Sequence, residues 1–169
     1  MTTALQKNAP QTDTLEAMFQ RAAPDFAKLA PAYLDVGRML RIALNSRAKT
    51  PALAQCSKQS FIAAMMQCSE MGLEPIGAGG AHLVPFRNKK TDELEVTVIP
   101  DWRGLISLAK RTGQIKHAYA KIIYKGDFVD YEEGDTPKLV HKPDLESDGE
   151  AVAAYCVVIL PDDTHTIEL

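Results

Sequence analysis

The spacing of apolar and polar residues predicts helices in the first part of the chain. A helical pattern begins at Thr14, and Pro24 and Pro31 predict that kinks or turns divide it into short helices. The next helix is predicted over about 36–48, because Asp35 is a typical N-cap residue in front of an apolar face with helical spacing.

A further helix is predicted over about 58–71, and both of its ends are marked. Ser57 is an N-cap residue, and Gly72 occupies the position that favours a left-handed conformation. Pro75 prevents the helix from continuing. The same period places Cys68 on the apolar face, so we expect this thiol in the core.

Two short apolar runs then predict a β-hairpin. The strands cover 81–86 and 94–99, and the polar loop between them carries Arg87, Lys89 and Lys90 at its tip.

The pattern changes to alternation after a further helix, which is predicted over 102–112 behind Asp101. Strands are expected over 116–125 and 151–160, and the chain stops in what reads as the middle of another strand.

The fold class is therefore α+β, with N-terminal helices followed by a mainly antiparallel sheet that the helix interrupts. We expect a disordered tail over 1–13 and a single domain over 14–169 that ends as a truncation.

Composition narrows the class of protein. The chain has 169 residues, of which 46% are apolar and 24% charged, as in a globular protein, and no apolar run is long enough for a membrane span. Three scattered cysteines do not form a disulfide framework, so we expect a cytoplasmic protein.

The charge is distributed unevenly. Residues 1–125 contain 17 Lys/Arg and 10 Asp/Glu, whereas residues 126–169 contain 2 and 12, which gives formal charges of +7 and −10. The segment 102–125 has six basic residues and no acidic one. Such a surface is either a solvated face or a binding site for a polyanion.

The helix predicted over 102–112 carries the most informative pattern. Its core-facing spacing includes Trp102 and Leu105, while one other face carries a column of polar residues: Arg103, Ser107, Lys110 and Arg111. Because no carboxylate lies at helix-pairing distance, the cations repel one another, and a phosphate backbone would relieve that repulsion.

Three aromatic residues are either core residues or platforms for stacking nucleic-acid bases. Phe86 is expected in the core, Trp102 fits both interpretations, and Tyr119 is the weaker candidate platform.

No motif predicts an enzyme active site, a metal or a cofactor. The turn Gly77–Gly80 lacks the Gly-Lys-Ser/Thr ending of a phosphate loop and leads into a strand, so a close backbone approach explains it better than nucleotide binding. The histidines fit no zinc spacing with the cysteines.

The chain resembles the RecT family of phage single-strand annealing proteins, in order from about Leu34 to the last residue. The resemblance rests on a series of short motifs: Arg38-Met39-Leu40-Arg41, Met71-Gly72-Leu73-Glu74-Pro75, Leu83-Val84-Pro85-Phe86, Trp102-Arg103-Gly104, Gly113-Gln114-Ile115, Gly126-Asp127 and His141-Lys142-Pro143. It implies ATP-independent binding of single-stranded DNA and annealing of complementary strands. It also implies homo-oligomers in rings or helical filaments, a phage exonuclease as partner, and a missing C-terminal portion.

We therefore predict a DNA-binding, non-enzymatic recombination protein. The expected DNA contacts are the basic and aromatic residues of this region: Trp102, Arg103, Lys110, Arg111, Lys116, Lys121 and Lys125, with Arg87 and Lys89 at the hairpin tip. Two alternatives remain. One is an assembly module whose basic face binds the acidic stretch of a neighbouring copy, and the other is a nucleotide-dependent enzyme that uses Gly77–Gly80.

Overall fold

A computed structural model describes residues 13–75, 80–146 and 149–169. It shows an α+β protein with N-terminal helices followed by antiparallel strands, as predicted. The chain divides into two compact units, one up to Gly104 and one from Leu105 to Leu169. The single domain expected over 14–169 stays a prediction, and almost all of the expected tail lies outside the described residues.

The first unit begins with four helices and a hairpin: α1 (Leu15–Leu29), α2 (Val36–Lys49), α3 (Pro51–Ala54), α4 (Lys58–Met71), β1 (Ala81–Arg87) and β2 (Leu94–Pro100). Thr14, Asp35 and Ser57 cap α1, α2 and α4 by accepting hydrogen bonds from backbone N–H groups of the first turn. These groups have no partner within the helix, so each cap contributes about 1 kcal/mol.

The division of α1 at Pro24 is a wrong prediction. Pro24 lies inside one continuous helix, although it removes a backbone hydrogen bond. Phe19 and Phe26 are both buried and meet edge to face, with their ring centroids 6.3 Å apart. This tertiary packing on both sides of the proline offsets the lost hydrogen bond.

The end of α4 follows the prediction. Gly72 has a φ of 60°, and the backbone N–H of Leu73 donates to the carbonyl oxygen of Cys68 at 3.0 Å. Cys68 is fully buried, as expected, and burial raises the pKa of its thiol to about 12. The core of this unit combines apolar side chains from the helices, from the segment between α3 and α4, and from β2: Leu15, Phe19, Phe26, Met39, Leu40, Ala43, Leu53, Cys56, Phe61, Ala64, Met65, Cys68 and Val96.

The second unit contains most of helix α5 (Trp102–Arg111) and five strands: β3 (His117–Tyr124), β4 (Phe128–Glu132), β5 (Lys138–Lys142), β6 (Ala151–Ile159) and β7 (His165–Glu168). The sheet order is β3-β6-β7, and β4 and β5 form a separate hairpin, all antiparallel. Ile123, Tyr155 and Val157 form the centre of a small core in this unit.

A buried polar cluster joins the β3–β4 turn to β5 and β6. His141 Nε2 lies 2.9 Å from Asp127 Oδ2, and His141 Nδ1 lies 3.3 Å from the hydroxyl of Tyr155. The backbone N–H groups of Tyr124 and Asp144 both donate to Asp127 at 2.8 Å. Those two hydrogen bonds, followed by the one to His141, lower the pKa of Asp127 to about 2. The motifs Gly126-Asp127 and His141-Lys142-Pro143 thus meet in one structural cluster.

Candidate nucleic-acid interface

Helix α5 presents the predicted basic column to solvent. Arg103, Ser107, Lys110 and Arg111 are all exposed. Arg111 Nε donates to the carbonyl oxygen of Ser107 at 3.4 Å, along the helix. Within the described part of the chain, Lys110 makes no ion pair. The positive charge of Lys110 is therefore available to an anionic ligand.

Trp102 and Leu105 do not pack in a core, which corrects the predicted inner face of α5. Their side chains are 62% and 57% exposed, and the buried residue of the helix is Gly104. The guanidinium carbon of Arg103 lies 4.4 Å from the centroid of the Trp102 ring, a cation–π distance. Trp102 thus has the exposure that a stacking platform requires.

The first turn of α5 is held by Asp101. Its Oδ1 accepts a hydrogen bond from the backbone N–H of Gly104 at 2.9 Å, so Asp101 is the N-cap that the sequence predicts. Its Oδ2 lies 3.7 Å from Arg103 Nη1 and also 3.7 Å from His82 Nε2. One carboxylate therefore caps the helix and orients the first cation of the column.

A close backbone approach fixes where α5 begins. Gly80, with a φ of 88°, accepts a hydrogen bond from the backbone N–H of Asp101 at 3.0 Å. A Cβ atom at Gly104 would lie 2.0 Å from the Gly80 carbonyl oxygen. This contact agrees with the backbone interpretation at Gly80, whereas Gly77, Ala78 and Gly79 lie outside the described residues.

The hairpin β1–β2 extends from this point to the predicted basic tip. Its strands pair from Ala81 with Pro100 at the base to Arg87 with Leu94 at the tip, so the hairpin is about 20 Å long at ~3.3 Å per residue. Phe86 lies on its outer face and is 52% exposed, which contradicts its expected place in the core. The core contacts come instead from Leu83, Leu94, Val96 and Val98 on the inner face.

The cations at the hairpin tip differ in their partners. Arg87 Nη1 lies 3.0 Å from Asp92 Oδ1 and also donates to the Asp92 carbonyl oxygen. Lys89 is exposed and has no ion pair among the residues the structure describes. Exposed ion pairs are worth only about 0–1 kcal/mol, so a phosphate can replace Asp92 at little cost.

The lysines after α5 do not share one face. Lys116 pairs with Asp163 in the turn between β6 and β7. Lys121 lies within β3 on the same face as Tyr119 and the buried Ile123, and Lys125 follows the strand. The aromatic ring of Tyr119 is 39% exposed and lies beside His117, with their centroids 6.0 Å apart. The role of these lysines in DNA binding stays a prediction.

Sequence reasoning expected a close backbone approach at the Gly77–Gly80 turn, but it did not find the partner Gly104 or the nearby His82 as parts of this region. A glycine in the third position of a helix costs about 1 kcal/mol relative to alanine, which is a signal that another backbone lies close. The identity of that backbone is not visible in a local pattern.

Two features are absent from the residues that the structure describes. No helix there combines the length and apolarity needed to cross a bilayer. No group of three or more His, Cys, Asp or Glu side chains in 13–75, 80–146 and 149–169 is arranged to hold a metal ion.

Comparison with known proteins agrees with the motifs. A family model described as RecT family matches residues 37–169. The chain is 40% identical over 146 residues to Protein RecT of Escherichia coli (strain K12), an alignment that covers 85% of this chain and 54% of that protein. The chain thus spans about half the length of this curated relative. From the family match and the identity together, it follows that the chain belongs to the RecT family.

Proposed function

We propose that this chain binds single-stranded DNA along α5 and anneals complementary strands without ATP, in homologous recombination in the cytoplasm of a bacterium that carries a phage or prophage. The observation that supports this function best is the exposed column of Arg103, Lys110 and Arg111 beside the exposed Trp102. Membership of the RecT family adds to it.

In this mechanism the cations of α5 neutralise phosphates, and Trp102 stacks against a base or sugar. Each phosphate that is neutralised steepens the plot of log affinity against log salt concentration by ~0.7–0.9. Phosphate contacts leave the base edges free for a second strand. Pairing then supplies about 1.4 kcal/mol per stacked step. No covalent bond is made or broken, so the mechanism requires no catalytic residue.

The test is annealing of two complementary oligonucleotides without ATP, followed by fluorescence at several salt concentrations. The double variant Lys110→Gln/Arg111→Gln should anneal more slowly, and its plot of log affinity against log salt should be shallower by about 1.4, or ~0.7 for each cation removed.

The matched control is Lys28→Gln/Lys138→Gln, which removes the same charge. Lys28 pairs with Asp25, and Lys138 lies opposite Glu132 on the β4–β5 hairpin. Equal salt slopes in the two variants would refute the α5 interface. Loss of self-association with unchanged DNA affinity would instead favour the assembly module.

We also propose that copies of this chain associate through the exposed face of the β3-β6-β7 sheet. Ala120 and Ile122 on β3, with Ala154 on β6, lie on the face opposite the buried Ile123, and all three are exposed. Burial of such an apolar surface drives association. Ile122→Asp should reduce the sedimentation coefficient of the assembled protein, and an unchanged coefficient would refute this interface. The phage exonuclease stays a predicted partner.

A further inference from the structure

A polar cleft lies within the first unit. It has a volume of about 410 Å³ and is bordered by α2, by the start of α3 and by β1. Its size falls in the range of pockets that bind small ligands or single units of a polymer.

The polar side chains that line the cleft are all able to donate hydrogen bonds: Asn45, Ser46, Lys49, Thr50 and His82. None of the described residues that line it carries a carboxylate. Ile42, Leu53 and Leu83 supply an apolar wall. Hydrogen-bond donors together with apolar side chains suit a phosphate attached to a sugar and a base.

The charge around the cleft is also unbalanced. Arg41, Asn45 and Lys49 lie at i, i+4 and i+8 and form a column on α2, and all three are exposed. In the part of the chain that the structure describes, neither Arg41 nor Lys49 makes an ion pair. Arg38, one turn earlier, is neutralised by Glu74. Of these two cations Lys49 lines the cleft, and an anion bound there would balance its charge.

His82 connects the cleft to the start of α5. It lines the cleft, and its Nε2 lies 3.7 Å from the Asp101 carboxylate that Arg103 also faces. His82 is thus shared between the lining of the cleft and the Asp101 carboxylate at the start of α5.

We propose that this cleft binds one nucleotide unit of the same single strand that α5 holds, with its phosphate at Lys49 and Asn45 and its base or sugar against Ile42 and Leu83. The proposal rests on the proposed function, because it extends the DNA path from α5 onto α2. It makes Lys49 and Asn45 DNA-binding residues, which the basic segment 102–125 does not predict.

The direct test is photo-crosslinking of the whole chain to an oligothymidylate that contains 4-thiothymidine. Crosslinks mapped by mass spectrometry should include residues within 42–50 or at 82–83. Crosslinks confined to the hairpin tip and α5 would overturn the proposal.

The matched pair of variants is Lys49→Gln and Lys28→Gln, because each lysine is exposed and lies in the last turn of its helix. Loss of a charge-assisted contact predicts that Lys49→Gln weakens oligothymidylate binding by roughly tenfold and lowers the salt slope by about 0.7. Lys28→Gln should bind as the wild type does. Equal affinities of the two variants, with equal melting temperatures, would also overturn the proposal.

A further measurement distinguishes binding of a DNA strand from binding of a free nucleotide. If Lys49→Gln weakened binding of thymidine 5′-monophosphate but not of the oligothymidylate, the assignment to a DNA strand would be wrong.

Failure of the α5 interface is distinguishable from failure of the cleft. Cleft crosslinks with normal annealing by Lys110→Gln/Arg111→Gln would count against α5 alone, whereas annealing lost in that variant without cleft crosslinks would count against the cleft alone.

Discussion

Replacing Gly104 with alanine tests whether the backbone contact at the start of α5 holds the interface in place. The new Cβ would lie 2.0 Å from the Gly80 carbonyl oxygen and 3.1 Å from Leu73 Cδ1. Contacts below 3.0 Å are essentially never seen for real Cβ atoms, so the backbone segments must separate by about 1 Å. That shift stretches the hydrogen bond from the Asp101 N–H to Gly80.

Three contributions set the expected size of the effect. Overpacking against a rigid backbone costs about 1–3 kcal/mol, and the weakened hydrogen bond costs about 1 kcal/mol. Alanine in a helix is more favourable than glycine by about 1 kcal/mol, which offsets part of this cost. The net destabilisation is therefore about 1–3 kcal/mol, or several degrees in melting temperature.

Circular dichroism during thermal unfolding measures the change in stability, and fluorescence reports the local shift because Trp102 is the single tryptophan of the chain. Gly134→Ala is the matched control, since a Cβ there meets nothing within 4 Å, and its effect should stay within about 0.5 kcal/mol. If Gly104→Ala melted with the wild type and kept its fluorescence spectrum, the close approach would not stabilise this part of the protein.

The remaining predictions concern titration and thiol reactivity. Because the folded state lowers the pKa of Asp127 from its usual 3.8 to about 2, its carboxylate stabilises the fold above pH ~4, and this contribution is lost as the pH falls towards 2. Asp127→Asn should flatten that part of an acid-unfolding curve, and an unchanged curve would contradict the assignment. Cys68 should resist iodoacetamide at pH ~8 in the folded protein and react on unfolding, since only the thiolate attacks. Cys156 is partly exposed and should react first; mass spectrometry of the labelled peptides distinguishes them.

Local signals predicted the helix ends because the groups that form them are neighbours in sequence. Asp35, Ser57 and Asp101 each bind a backbone N–H three residues later, and Gly72 adopts the left-handed conformation expected from Leu73 and Pro75. The hairpin was predicted for the same reason, because one short loop sets the register of all seven cross-strand pairs.

Burial was predicted less well because it depends on distant parts of the chain. Helical spacing places Trp102 and Leu105 on one face of α5, but it does not show which face packs against another segment. In the structure the packed face is the one that carries Gly104, which contacts the backbone of Gly80. Phe86 was misplaced because alternation defines two faces of a strand and does not select the inner one. The cleft at Lys49 depends on three elements that come together only in the folded chain.

The two carboxylate oxygens of Asp101 have different roles, since one caps α5 and the other faces Arg103. A mutation can therefore remove one role and keep the other. Asparagine at this position keeps a carbonyl oxygen for the Gly104 N–H but carries no charge towards Arg103. Asp101→Asn should leave the melting curve of the protein almost unchanged while the guanidinium samples more rotamers above the indole. A folded variant with a disorganised first cation would show how much of the affinity for a phosphate depends on preorganisation rather than on charge alone.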